Sequence, residues 1–115
     1  MFFNTEEHDN VVIVRLPQYF LAETVQHFKS VIQTSMEQAE RDGILDFSAT
    51  NMVDSSALGA IVAVYKNISL TKRVLVLSSL NDTVRTLFEL TQLQKIFVIE
   101  ASLEAALESL RNKEN

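Results

Sequence analysis

Apolar and polar positions follow two rhythms along this chain. Val11-Val12-Ile13-Val14-Arg15-Leu16 is short, β-branched and almost wholly apolar, the pattern of a strand covered on both faces, and Pro17 ends it. From Glu23 the spacing widens. Val25, Phe28, Ile32, Met36 and Ala39 recur every third or fourth residue while Glu23, Gln26, Lys29, Gln33, Glu37 and Glu40 face elsewhere, which predicts an amphipathic helix. Asp42-Gly43 breaks that helix, and Ile44-Leu45-Asp46-Phe47 is a second apolar run of strand length. After a polar loop from Ser48 to Asp54, a helix is expected from about Ser56 to Ser69 and a strand over 73–77. Asn81 or Asp82 can cap a helix burying Val84, Leu87 and Phe88. Residues 96–99 read as a strand, and Ser102 can cap a last helix with Leu103, Ala106, Leu107 and Leu110 inward. Phe2-Phe3 fits an edge strand or, equally, a hydrophobic flap.

Strands separated by single helices imply right-handed crossovers, so the fold class is α/β: a mostly parallel, four- or five-stranded sheet with about four helices. The 115 residues suffice for one domain over 1–115, with a frayed tail at about 112–115. No repeat, low-complexity tract or linker divides it.

Composition narrows the function classes. Hydrophobic residues make up 47% and charged residues 22%, enough apolar surface to offset the entropy of ordering. A formal charge of −5 argues against a nucleic-acid partner, because binding to a phosphate backbone rests on clustered Lys and Arg. Neither a signal-peptide pattern at the start nor an apolar run of roughly 18 residues occurs, so a soluble, cytoplasmic protein with no membrane span is expected. The lack of Cys agrees with a reducing compartment.

Catalytic and cofactor signatures are missing. Gly43 and Gly59 stand alone, whereas phosphate-cradling loops need several glycines. His8 and His27 lie in different elements with no metal-ligand spacing and read as solvated surface residues. There is no G-x-S-x-G elbow, and neither histidine is tied by sequence to a serine. No enzyme, metal or cofactor is expected.

The informative segment is Asp46 to Gly59, read as strand, loop and helix start. Asp and Ser there can act simply as helix caps, typically worth about 1 kcal/mol. In the helix that follows, Leu58, Ile61, Val62, Tyr65 and Ile68 gather on an expected core side. Ser56, Gly59, Ala60, Ala63 and Asn67 cluster opposite, a small and weakly polar stripe where an exposed helix would normally carry Glu, Lys or Arg. Either a partner helix approaches closely there, or another element of the same fold covers it.

Asp54-Ser55-Ser56-Ala57-Leu58-Gly59, followed by an apolar helix with Tyr65-Lys66, resembles the D-S-[ST]-G-L-G signature of STAS domains, in particular the bacterial anti-sigma factor antagonists. The similarity covers nearly the whole chain, through the strand at 12–16, the helix from Thr24, the Arg85-Thr86-Leu87-Phe88 helix and the final strand and helix. It implies a phosphorylation-switched regulatory binding module. Ser55 would be the acceptor, Ser56 the alternative acceptor, and Asp54 the supporting motif residue. The implied partners are a serine protein kinase that doubles as the anti-sigma factor, or a related signalling protein, and a metal-dependent phosphatase. The unmodified protein would bind through Ser56, Gly59, Ala60, Ala63 and Asn67. A second reading is a STAS subunit of a transport complex, resembling the small partner of a lipid-transport ABC ATPase. Two departures stand out: Ala57 replaces the usual Gly, and Leu21 stands where family members commonly carry an acidic residue.

Overall fold

The computed structural model describes residues 3–113. In chain order the elements are β1 (Asn4–His8), β2 (Val11–Arg15), β3 (Tyr19–Phe20), α1 (Val25–Ile32), β4 (Asp42–Asp46), β5 (Met52–Val53), α2 (Ser55–Ser69), β6 (Leu75–Ser78), α3 (Asp82–Leu90), β7 (Val98–Glu100) and α4 (Leu103–Asn112). The main sheet runs β1-β2-β4-β6-β7, with every pair parallel except the β1·β2 hairpin. β3 and β5 form a separate two-residue parallel bridge, Tyr19 opposite Met52 and Phe20 opposite Val53. The chain is thus an α/β domain with a mostly parallel five-stranded sheet and four α-helices among the described residues.

Burial on both faces explains why β2 and β4 lack a polar alternation. One face presents Val12, Val14, Leu45, Leu75 and Leu77 to a core shared with Phe28 and Ile32 of α1, Ile61 and Val64 of α2, and Val84 and Phe88 of α3. The other face presents Ile13, Ile44 and Val76 to Ala106 and Leu110 of α4. The middle strand β4 is buried along its whole length.

α1 is led by a 3₁₀ turn (Ala22–Thr24) and continued by a π-helical segment (Gln33–Gln38). The wide turn carries Met36 into the core, directly over Gly43. A Cβ on Gly43 would fall inside the van der Waals shell of the Met36 Sδ and within 2.8 Å of its Cε. Gly43→Ala is therefore expected to destabilise the domain by about 1–3 kcal/mol through overpacking, read as a lower urea midpoint with an unchanged slope. Beyond Gln38 the helix stops, with Glu40 in the left-handed region at φ 55°, so Ala39 is exposed instead of continuing the apolar stripe.

Several boundaries differ from the sequence reading. The edge strand is Asn4–His8, not a Phe2-Phe3 element; Phe2 lies outside the described residues. Phe3 is a core residue packed edge-on to Phe20 with centroids 5.4 Å apart, and against His27 at 5.3 Å. β1 is tied down by Arg15, whose Nη1 donates to Glu6 Oε1 at 2.8 Å; this bond and one to His8 hold the Glu6 carboxyl below its usual range. The strand expected over 96–99 is Val98–Glu100, because a 3₁₀ turn (Leu93–Lys95) precedes it and turns Phe97 inward against Phe88 and Tyr65. α4 runs to Asn112, and the Lys113 Nζ lies 2.6 Å from Asp42 Oδ2. Residues 114 and 115 lie outside the described range.

Candidate functional site

Ser55 is the first residue of α2, and both it and Ser56 are exposed. The sequence reading ended the loop at Asp54 and started the helix at about Ser56. The helix begins one residue earlier because Asp54, in extended conformation at φ −84° and ψ 176°, is the cap: its Oδ1 accepts from the Ala57 N–H at 2.8 Å. Its other oxygen, Oδ2, accepts from the Ala22 N–H at 2.9 Å.

The loop leading to Ser55 is held by hydrogen bonds on both sides. Asp46 Oδ1 accepts from the Ser48 N–H at 2.9 Å, and the Thr50 hydroxyl donates to the Pro17 carbonyl at 2.8 Å. Asn51 N–H donates to the Gln18 carbonyl at 2.7 Å, Asp54 N–H to the Phe20 carbonyl at 3.2 Å, and Asn81 Nδ2 to the Thr50 carbonyl at 3.1 Å. With its backbone groups so occupied, the segment presents Ser55 from a fixed platform.

The small-residue stripe splits in two. Ala60 is only 2% exposed and lies in the core with Ala57, Ile61, Val64 and Ile68; it is not part of an outward face. The buried arc is rotated from the expected one, leaving Leu58, Val62 and Tyr65 as half-buried flanks. Apolarity alone could not locate the centre of the arc, because α2 is apolar around most of its circumference and the side it buries is set by packing against α1 and the Ala22–Thr24 turn as well as the core. Ala63 and Asn67 border a groove of about 310 Å³ against Lys29, Gln33 and Glu37 of the first helical stretch, so α1 shares that flank. Ser56 and Gly59 remain open, and nothing lies within 4 Å of a Cβ built on Gly59. Lys66, seven residues on from Gly59 along the helix, is exposed too and limits the uncharged stretch.

Two features beside Ser55 escaped the sequence reading. Tyr19 and Met52, opposite each other in the β3·β5 bridge, are 53% and 52% exposed. Met52 also borders an apolar groove of about 300 Å³ whose other walls include Val53, Val84, Leu87 and the exposed Leu90. A two-residue bridge has no periodicity to read; the only sequence signal was an apolar Tyr19-Phe20-Leu21 run after Pro17. Leu21 itself is half-buried. His8 and His27 are exposed and on different elements, and among the described residues no three potential metal ligands come together.

A chain of this architecture with Asp-Ser-Ser at the start of its long helix has known counterparts. The profile of the STAS domain matches residues 2–106. The chain belongs to the STAS domain family. Among solved structures it is similar to TM1081 of Thermotoga maritima, a candidate anti-sigma factor antagonist, at 28% identity over 96% of this chain and 95% of that one, with a TM-score of 0.86. It shares its fold with an anti-sigma factor antagonist of Mycobacterium paratuberculosis, at 22% identity over 96% and 93% of the two chains and a TM-score of 0.85. It also shares it with the phosphorylated form of the Bacillus cell fate determinant SpoIIAA, at 21% identity over 94% and 98% and a TM-score of 0.75. In this STAS domain, among the described residues, no helix is long and apolar enough to cross a membrane.

Proposed function

We propose that this STAS domain is a phosphorylation-switched, non-catalytic binding module of the cytoplasm. In its unmodified form it binds a serine kinase that acts as an anti-sigma factor, or a related signalling protein, and a metal-dependent phosphatase resets it. The observation that carries this reading is the exposure of Ser55 at the first position of α2, on a hydrogen-bonded platform and on the same helix as the open Gly59 surface. A kinase needs an accessible hydroxyl, and a helix start tolerates the added phosphate through its dipole and free N–H groups. Phosphorylation adds about −1.5 to −2 charge, which would sit uncompensated against a docked partner while the fold persists.

The test combines phosphosite mapping on protein from its native cell with calorimetry against the partner that copurifies. Ser55→Ala is expected to fold and bind constitutively. Ser55→Asp is expected to fold and bind about tenfold more weakly, a loss of about 1.4 kcal/mol, with true phosphorylation producing more. Phosphate on neither Ser55 nor Ser56, together with wild-type binding by Ser55→Asp, would overturn the reading. Recovery of a transport ATPase in place of a kinase would point instead to permanent docking in a transport complex.

A further inference from the structure

The helical stretch that begins at Ala22 starts without a cap of its own. Leu21 occupies its N-cap position in extended conformation, φ −124° and ψ 171°, and has no side-chain oxygen to offer the free N–H groups. The acceptor comes from 32 residues away, where Asp54 Oδ2 takes the Ala22 N–H at 2.9 Å. The same carboxylate caps α2 through Oδ1 and the Ala57 N–H at 2.8 Å, and the Asp54 N–H reaches back to the Phe20 carbonyl at 3.2 Å. One side chain therefore closes two helix starts, and it immediately precedes Ser55.

We infer that Asp54 is a positioning residue that carries charge added at Ser55 to the start of the first helical stretch, so that both segments of the surface respond together. This rests on the reading of Ser55 as a switch. A phosphate at the first position of α2 competes for the N–H groups that Asp54 now holds, and its charge repels the neighbouring carboxylate. Of the two ties, the one to Ala22 yields first. Ala22 is exposed, so its N–H exchanges Asp54 for water, whereas Ala57 is fully buried and its N–H would be left without a partner. Release at Ala22 loosens the chain just after β3, whose Tyr19 and Phe20 pair with Met52 and Val53 ahead of Ser55.

Amide exchange and chemical shifts of Ala22 and Ala57 in the ¹⁵N-labelled full chain test this in wild type, Ser55→Asp, Asp54→Asn and the double variant. Asparagine keeps one acceptor oxygen and replaces the other with a donor, so Asp54→Asn can still cap α2 but cannot serve both helices. Ser55→Asp is expected to speed exchange at Ala22 about tenfold, the scale of one hydrogen bond to a charged acceptor, and to leave Ala57 within about twofold. Asp54→Asn should give the same acceleration, and adding Ser55→Asp to it should change nothing further at Ala22. A purely structural cap would not respond to Ser55 at all. Wild-type exchange at Ala22 in Ser55→Asp overturns the inference, and that comparison stands even if Asp54→Asn does not fold. A full response to Ser55→Asp in the Asp54→Asn background also overturns it, because the charge would then travel by another route. Partner titration separates this from the switch itself. Lost binding with an unchanged Ala22 defeats only the coupling, and a changed Ala22 with undiminished binding defeats only the switch.

Discussion

Ala60→Arg is expected to abolish folding, while Gly59→Arg, one residue earlier, is expected to fold normally and lose the partner. Ala60 is a core residue beside Ile61 and Val64, so an arginine there would have to bury an unpaired guanidinium or push α2 off the sheet. Either cost is several kcal/mol, comparable with the roughly 5–15 kcal/mol that holds a whole domain together. Gly59 faces open space on the same helix, and replacing a mid-helix glycine removes a penalty of about 1 kcal/mol relative to alanine. Circular dichroism of the two purified variants reads the folding contrast, and calorimetry of Gly59→Arg with the copurified partner reads the docking. A folded Ala60→Arg would contradict the packing of α2. A folded Gly59→Arg that binds as wild type would remove the open face from the docking surface.

Lys113→Ala is expected to cost about 3 kcal/mol, an effect far larger than most exposed ion pairs produce. Its partner Asp42 is 1% exposed at the start of the central strand β4, where Oδ1 accepts from the Val74 N–H at 2.9 Å and Oδ2 faces the Lys113 ammonium at 2.6 Å. Removing the ammonium leaves a buried carboxylate with one hydrogen bond and no countercharge. The lower end of the range for a broken buried pair applies because Lys113 keeps some contact with water. Urea denaturation measures the loss. The paired replacement Asp42→Asn with Lys113→Met should recover part of it, since no charge is then stranded. A change below about 0.5 kcal/mol in Lys113→Ala would show that the end of α4 is not anchored at Asp42.

Much of this architecture is legible in the local pattern of the chain. The apolar run at 11–16 and the three-and-four spacing of Val25, Phe28, Ile32 and Met36 identify a strand and a helix because the two periodicities differ, and short breaks at Pro17 and Asp42-Gly43 separate them. Ser102 caps its helix as read, accepting from Ala105 at 3.1 Å, and of the two candidates Asn81 and Asp82 it is Asn81 that caps α3, accepting from Val84 at 2.9 Å. Capping is local chemistry within four residues, so it survives without knowledge of the fold. The α/β class followed from the alternation of elements, and the STAS resemblance followed from Asp54-Ser55-Ser56 in its setting.

What the tertiary structure decided are the features that join residues distant in sequence. Which arc of α2 is buried depends on how it packs against α1, the Ala22–Thr24 turn and the core, and an apolar helix does not announce that in its own pattern. The β3·β5 bridge that sets Tyr19 beside Met52 and the Lys113 anchor on Asp42 each pair positions more than 30 residues apart, as does the Asp54 tie to Ala22. Local periodicity and capping were enough for the long apolar strands, the helices, their order and the Asp-Ser-Ser segment ahead of the long helix, but not for the edge strand at 4–8 or the two-residue β3·β5 bridge, which have no periodicity of their own. Only the folded chain decided which side of that helix is open and what else lies beside the serine, because a contact between separate elements depends on how their faces pack and leaves no local pattern in either segment.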